Sequence, residues 1–587
     1  MIVQCNLSMV AADLEFTTDL ADYSCAFFVF NFDASSVQYA TLSHCWGTKT
    51  FFRLKRSNLD ALHAAIPLAN LPRTFQEAFY LCGSLGIRYI WIDSLCIVQD
   101  DVQDWQSESI QMDQIYANGI INIAAGASED SSEGLFRQRS GSSALQCPLV
   151  VSTEGMWPPE QHEGIADFIK RAKRDEGTLF ERCYFVSKDD WQRSVHQSTL
   201  ARRGWVLQER LLSPRILTFG TRQIYWQCGE TSCNEEGSPT DDDYTLKMQF
   251  ATMLSGTSDW DWEDSLSASS LDIWRSVVTD YSQTRLTKHT DRLVALSGLA
   301  KTFCRAMPHN QYLAGMWKDS LPNDLLWEVC YVEGPATSPP PCAGPESRGY
   351  CAPTFCWASA AFPCTLNLQF CFGGWLSFGL LFTVLDITLD YATKEVTGPV
   401  TGGCLDIMAK LRPFRLVSPS NFDAGRIPKK KLCPGLLNAF SPPEPGRSEL
   451  GEFSWPLVRL DRPLQVPSPS DEILFFFVVG IPVKLEGFGP NELAECIESF
   501  PEFEVGEWKI LLAKCMILEA VDADAGVYRR VGMATSYELF RKNADHEKDG
   551  LQDLVHFLLK NEPYQGEPDT PIPCRGMDGE EHVFRII

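Results

Sequence analysis

Between residues 39 and 126 the apolar positions alternate between two rhythms. Tyr39-Ala40-Thr41-Leu42-Ser43 reads as a short strand, followed by a turn at Trp46-Gly47. Leu71-Pro72-Arg73-Thr74 opens a helix, because proline suits the first turn, where no amide partner is needed. Phe75, Ala78, Phe79, Cys82 and Leu85 then recur at helical spacing, and Gly86 stops the run. Arg88-Tyr89-Ile90-Trp91-Ile92 and Ile120-Ile121-Asn122-Ile123-Ala124-Ala125 are continuous rather than alternating, as in strands buried on both faces of a parallel sheet. Between them Trp105, Ser109, Met112 and Tyr116 mark one face of a second helix. Strand, helix, strand, helix, strand predicts βαβ crossovers and a parallel sheet.

Residues 127–198 are polar and proline-interrupted, and read as an excursion from that sheet. Regular structure resumes with a helix from Arg203 to Leu212, ended by Pro214, and with strands at 216–219 and 223–227. Residues 268–330 read as helical. Beyond Pro339-Pro340-Pro341, proline-rich loops alternate with β-like runs at 385–391, 473–479 and 508–518. The expected organisation is a lead-in over 1–38, an α/β domain over 39–230 with its insertion at 127–198, a mainly helical region over 231–340, and a β-rich region over 341–587. A length of 587 residues suits about three or four units at roughly 150 residues each.

Charge narrows the partners. The net charge is −25, from 76 acidic and 51 basic residues, and the tightest basic run is Lys429-Lys430-Lys431. Such a field repels a phosphate backbone, so nucleic acid is not an expected partner. The 21 cysteines are scattered, several within apolar runs (Cys82, Cys96, Cys371, Cys515), as buried thiols in a reducing cytoplasm are. Cys228 and Cys233 lack a second pair at zinc-ligand spacing, so no metal is expected. The N-terminus lacks a basic flank and a long apolar run, so it is not read as a secretory signal. Residues 357–385 are uncharged and long enough for a bilayer, but Pro363, Asn367 and Gln369 interrupt them and no basic cluster flanks them. They read as buried strands, or as an incorrectly translated stretch, rather than a membrane span.

Ligands of open parallel sheets sit beyond the carboxyl ends of the strands. That selects Ser43-His44-Cys45-Trp46-Gly47, Asp93-Ser94-Leu95-Cys96 with Gln99-Asp100-Asp101, and the loop from Gly126. Asp93 is either a ligand-binding acid or a loop and helix cap. His44 and Cys45, adjacent on an extended chain, point to opposite faces and make a poor dyad. No phosphate-binding glycine motif is present. Trp205 and Glu209 share a helical face, where an aromatic neighbour desolvates a carboxylate. On helix statistics alone, Glu209 reads as a surface acid paired with Arg202 or Arg210.

YATLSHCWG (39–47), LPRTFQEA (71–78), LGIRYIWIDSLCI (85–97), QDD (99–101) and RGWVLQERLLS (203–213) together resemble the heterokaryon incompatibility (HET) domain family, in order and in spacing. Weaker similarity to long fungal HET proteins runs through LTKHTDRL (286–293), AGMW (314–317), LLW (325–327) and YRRVG (528–532). APTFCWAS (352–359) departs from that pattern at Phe355-Cys356, and the uncharged stretch after Ser359 looks foreign to it.

The resemblance implies filamentous fungi, non-self recognition after hyphal fusion, and programmed cell death. HET domains in turn resemble Toll/interleukin receptor (TIR) domains, which implies a TIR-like three-layer α/β fold here. Several TIR domains cleave NAD at the nicotinamide–ribose bond with a glutamate four residues after a tryptophan, the spacing of Trp205 and Glu209. Carried over, the resemblance implies Glu209 as catalytic carboxylate, and Ser43, Trp46, Gly47, Asp93, Arg203 and Trp205 as ligand-binding residues. NAD would be a substrate, with no tightly bound cofactor. The alternative it leaves open is a non-enzymatic module that self-associates and triggers death through a partner incompatibility protein.

Overall fold

The computed structural model describes residues 6–12, 27–33, 37–138, 191–235, 245–255, 269–330, 350–360, 364–368, 376–380, 382–415, 436–438, 454–460, 473–484, 503–505, 508–541, 572–579 and 581–587. The bulk of the predicted 127–198 excursion therefore lies outside the described residues. The chain divides into two compact units, Met1–Trp105 with Asn118–Ala201 and Ser213–Thr245, and Gln106–Ala117 with Arg202–Leu212 and Leu246–Ile587.

The first unit is built on one eight-stranded sheet. Its strands are β1 (Asn6–Ala12), β2 (Phe27–Asp33), β3 (Tyr39–Ser43), β4 (Tyr89–Trp91), β5 (Ile121–Ala124), β6 (Arg215–Phe219), β7 (Ile224–Cys228) and β8 (Ser232–Asn234), in the order β2-β1-β4-β3-β5-β6-β7-β8. The four central strands are parallel: Ala40 stands opposite Ile90 on one side and Ile121 on the other, and Asn122 opposite Ile216. Both flanks are antiparallel, β1 and β2 on one edge, β7 and β8 on the other. The sheet is thus mixed α/β with a parallel centre; residues 1–38, expected as a lead-in, supply two of its strands.

Local chemistry explains the elements. β3 and β5 are buried along their whole length, which is why their apolar runs do not alternate. Helix Arg73–Ser84 buries Phe75, Ala78, Phe79 and Cys82, and the chain leaves it through Gly86 at φ +71°. Helix Val102–Asn118 buries Ser109, Met112 and Tyr116, as its spacing predicts, but also the acids Glu108 and Asp113.

The second unit carries helices Gly204–Leu212, Leu246–Ser255, Ser270–Ser282 and Ser297–Ala306 and a large, mainly antiparallel sheet. Ser269 caps the third helix with a reciprocal bond pair to Asp272. The helical reading breaks after Ala306 and resumes only in the short turns Lys318–Ser320 and Leu321–Asp324. Tyr312–Leu313 and Met316–Trp317 form a tight hairpin instead, with Ala314 at φ +50° and Gly315 at φ +98°, the backbone that a two-residue hairpin loop requires. Trp274 and Trp357 both donate their indole N–H to the Gly315 carbonyl, at 2.8 and 2.9 Å. The β-like runs at 385–391, 473–479 and 508–518 are strands, extending over Phe382–Tyr391, Ile473–Lys484 and Trp508–Asp522. No helix among the described residues is long and apolar enough to cross a membrane. Within residues 357–385 the structure shows one 3-10 turn and short strands.

Candidate functional site

The central strand order, β4-β3-β5-β6, places a topological switch point between β3 and β5, where the crevice outside the strand ends receives ligands. Inside the sheet a polar ladder ties these two strands. Thr41 Oγ1 and Ser43 Oγ donate to Asn122 Oδ1 at 3.0 and 3.2 Å, and Asn122 Nδ2 returns a bond to Ser43 at 3.0 Å. Ser43 is only 1% exposed, so its hydroxyl acts within the sheet, fixing the β3–β5 register.

Just beyond β3 the chain turns outward. Trp46 donates its indole N–H to Asp93 Oδ2 at 2.9 Å. Asp93 Oδ1 accepts the Ser94 amide at 2.6 Å and lies 3.8 Å from His44 Nδ1. One Asp93 oxygen thus accepts within its own turn (Asp93–Cys96) and the other anchors Trp46. His44 is buried edge-on against Phe75, with centroids 4.9 Å apart, and is itself held in the core. Cys96 accepts the Ile92 amide through its sulfur at 3.4 Å, so the thiol is occupied in closing its own turn.

Gly47 adopts φ +67°, and a Cβ there would stand 2.4 Å from the Asp130 Cβ. Glycine is needed both for the backbone and for this approach. Asp130 closes on Lys49 at 2.8 Å and accepts the Ser132 hydroxyl and amide, and these bonds hold its carboxyl at about 2.

Sequence reasoning missed the loop that follows. Trp46 packs edge-on to Phe51 at 5.6 Å, and the Arg53 guanidinium sits 5.5 Å from the Trp46 ring centroid and 5.6 Å from that of Phe51. No periodic pattern marks Arg53; a cation between apolar residues in FFRLKR has no local signature.

Arg203, Trp205 and Glu209 belong to the second unit. Gly204 N–H donates to the Arg285 carbonyl, and a Cβ on Gly204 would meet Leu286 at 2.6 Å, so the helix start is locked against residues 285–286. Trp205 and Arg203 are partly exposed, whereas Glu209 is 6% exposed. Arg210, a candidate partner for Glu209, pairs with Asp280 at 3.3 Å. Lys247 donates to the Arg210 and Leu211 carbonyls at 2.7 and 3.4 Å, a cation satisfying a helix C-terminus. No cluster of metal-binding side chains occurs among the described residues.

A flat indole fixed by a carboxylate, beside a guanidinium, is chemistry suited to an aromatic ring carrying an anion. The comparison with known families agrees in location. Residues 39–209 match the family described as Heterokaryon incompatibility protein (HET). The match begins at the first residue of β3 and ends on Glu209. No curated protein and no solved structure matches the chain.

Proposed function

We propose that the protein is an effector of fungal non-self recognition that acts by TIR-like cleavage of NAD at the nicotinamide–ribose bond. The observation that supports this most is the Trp46–Asp93 bond at the carboxyl ends of β3 and β4, beside the switch point of a parallel sheet. The reaction asks little of a protein. Nicotinamide is already cationic in NAD, so it leaves with the bonding pair and needs no general acid. Water adds to the ribose carbon and loses one proton, giving ADP-ribose, nicotinamide and H⁺. The ribose passes through an oxocarbenium-like state that a carboxylate stabilises, as in glycoside cleavage. Glu209 is assigned that carboxylate, and Trp46, Gly47, Asp93, Arg203 and Trp205 are assigned to binding; Ser43 supports the strand end from inside the sheet.

The test is nicotinamide release from NAD by the purified full chain. Glu209→Gln is expected to lower it by at least about a hundredfold, the size of effect seen on removing one electrostatic stabiliser. Equal release by the two proteins removes Glu209 from the mechanism.

A second reading, an assembly module signalling through a partner protein, is supported by the burial of motif residues: Trp91 is 0% exposed, Gln208 1% and Glu209 6%. Cell death with undiminished NAD, abolished by substitutions that break self-association, decides for it.

A further inference from the structure

We propose that Arg53 is the anion-binding residue of the Trp46–Asp93 cluster, taking a phosphate or diphosphate group of the ligand. The proposal deepens the reading above on its ligand side and is independent of whether the bound molecule is then cleaved.

Four observations carry it. First, Arg53 is partly buried yet its guanidinium has no hydrogen-bond or ion-pair partner among the described residues, and its Nε is shielded from solvent without an acceptor. A guanidinium offers five N–H donors in a rigid fork, so one whose shielded Nε meets no acceptor, with its outer donors open to solvent, is poised for a partner from outside. Second, two nearby cations, Lys49 and Arg56, are spent. Lys49 closes on Asp130 at 2.8 Å and Arg56 on Asp101 at 2.7 Å, both bidding for carboxylates of this same acidic chain. Third, the backbone beneath it is fixed. The Arg53 carbonyl accepts from Asn58 Nδ2 at 2.9 Å; next to it, Leu54 N–H donates to Ser94 O at 2.9 Å and Leu54 O accepts from Gln99 N–H at 3.0 Å. The loop is thereby stitched to the segment that carries Asp93. Fourth, the guanidinium is bracketed by the Trp46 and Phe51 rings, which stand at 86° to each other. Two aromatic walls hold the cation in place without consuming any of its donors.

Phosphate suits this site better than carboxylate or chloride. The planar fork matches two oxygens at once, which chloride cannot offer; phosphate is preferred over carboxylate because its greater charge answers the cation better and the fixed indole offers a surface for a ring attached to that phosphate. Inorganic phosphates and nucleotides share this chemistry, and the test separates them.

Binding of inorganic pyrophosphate, ADP and adenosine to the full chain is measured by calorimetry at fixed ionic strength, with Arg53→Gln and Arg53→Lys beside the wild type. Arg53→Gln is expected to weaken pyrophosphate and ADP by about tenfold to a hundredfold, the worth of charge-assisted bonds, and to leave adenosine unchanged. Arg53→Lys keeps the charge but loses the fork, and is expected to recover only part of the affinity; it carries the test if Arg53→Gln melts early. ADP binding tighter than pyrophosphate identifies a nucleotide, and equal binding identifies the free anion; both support the assignment. Absence of anion binding by the wild type, or equal affinity in Arg53→Gln, overturns it. Arg53-dependent ADP binding by a chain that leaves NAD intact overturns the cleavage and not the anion site; cleavage with Arg53-independent ADP binding does the reverse.

Discussion

Two arginines, one in each unit, sit against tryptophan rings, and their surroundings differ in one respect. Arg530 lies 3.5 Å from the Trp327 ring centroid, is 2% exposed, and donates to the Leu325 carbonyl at 2.7 Å and to the Trp327 carbonyl. Arg53 lies over Trp46 at 5.5 Å and donates to nothing among the described residues. A satisfied buried cation is part of the core, because its desolvation is offset by the acceptors it meets. The same side chain with its donors idle costs stability unless something else binds there. The contrast separates a girder from a receptor without reference to any family.

The contrast breaks most readily at Arg530. Arg530→Met strands two buried carbonyls and removes the cation from its ring, and is expected to cost about 3 kcal/mol, read as a drop in the denaturation midpoint. A loss below about 1 kcal/mol would mean that those carbonyls find other donors. Asp130 gives a smaller, pH-gated effect in the first unit. Its carboxyl is held at about 2, below the ordinary 3.8, by Lys49 and Ser132. A depressed carboxyl stabilises the fold above its unfolded value and loses that contribution as pH falls through its folded one. The stability advantage of wild type over Asp130→Asn should therefore be full above pH 3.8 and vanish as pH falls toward about 2. An advantage unchanged across that window would show that the pair contributes nothing. The smallest effect is expected at Arg53. Arg53→Met should shift stability by no more than about 0.5 kcal/mol in either direction, since no native acceptor is lost; a drop comparable to that of Arg530→Met would place Arg53 among the structural cations.

Much of the first unit was legible in the chain. Continuous apolar runs announced β4 and β5, Tyr39–Ser43 read as a short strand, and Gly86 marked the end of helix Arg73–Ser84; in the second unit Pro214 marked the end of helix Gly204–Leu212. These signals are local, set by backbone preference and by burial on both faces. The antiparallel strands β1 and β2 were not legible: NLSMVAA has no clear alternation, and β1 pairs with β4 across most of a hundred positions that carry no sign of it. The Trp46–Asp93 pair was half legible, since strand ends predict where a site lies but not which side chains bond. Arg53 was silent, because its significance consists in acceptors it does not meet. The run at 352–359 is core: Phe355, Cys356 and Trp357 are each 0% exposed, burial pushes the Cys356 thiol up to about 12, and that thiol donates to the Ala314 carbonyl at 2.9 Å.

The Gly315 carbonyl has two lone pairs and two indole donors, one from helix Ser270–Ser282 and one from the turn Trp357–Ser359. One oxygen atom is thus a three-way junction for stretches of chain that are strangers in sequence. Loosening any one of them releases the other two, so amide protons on all three should exchange with solvent as a single cooperative group. The turn at 357–359 is, mechanically, a keystone.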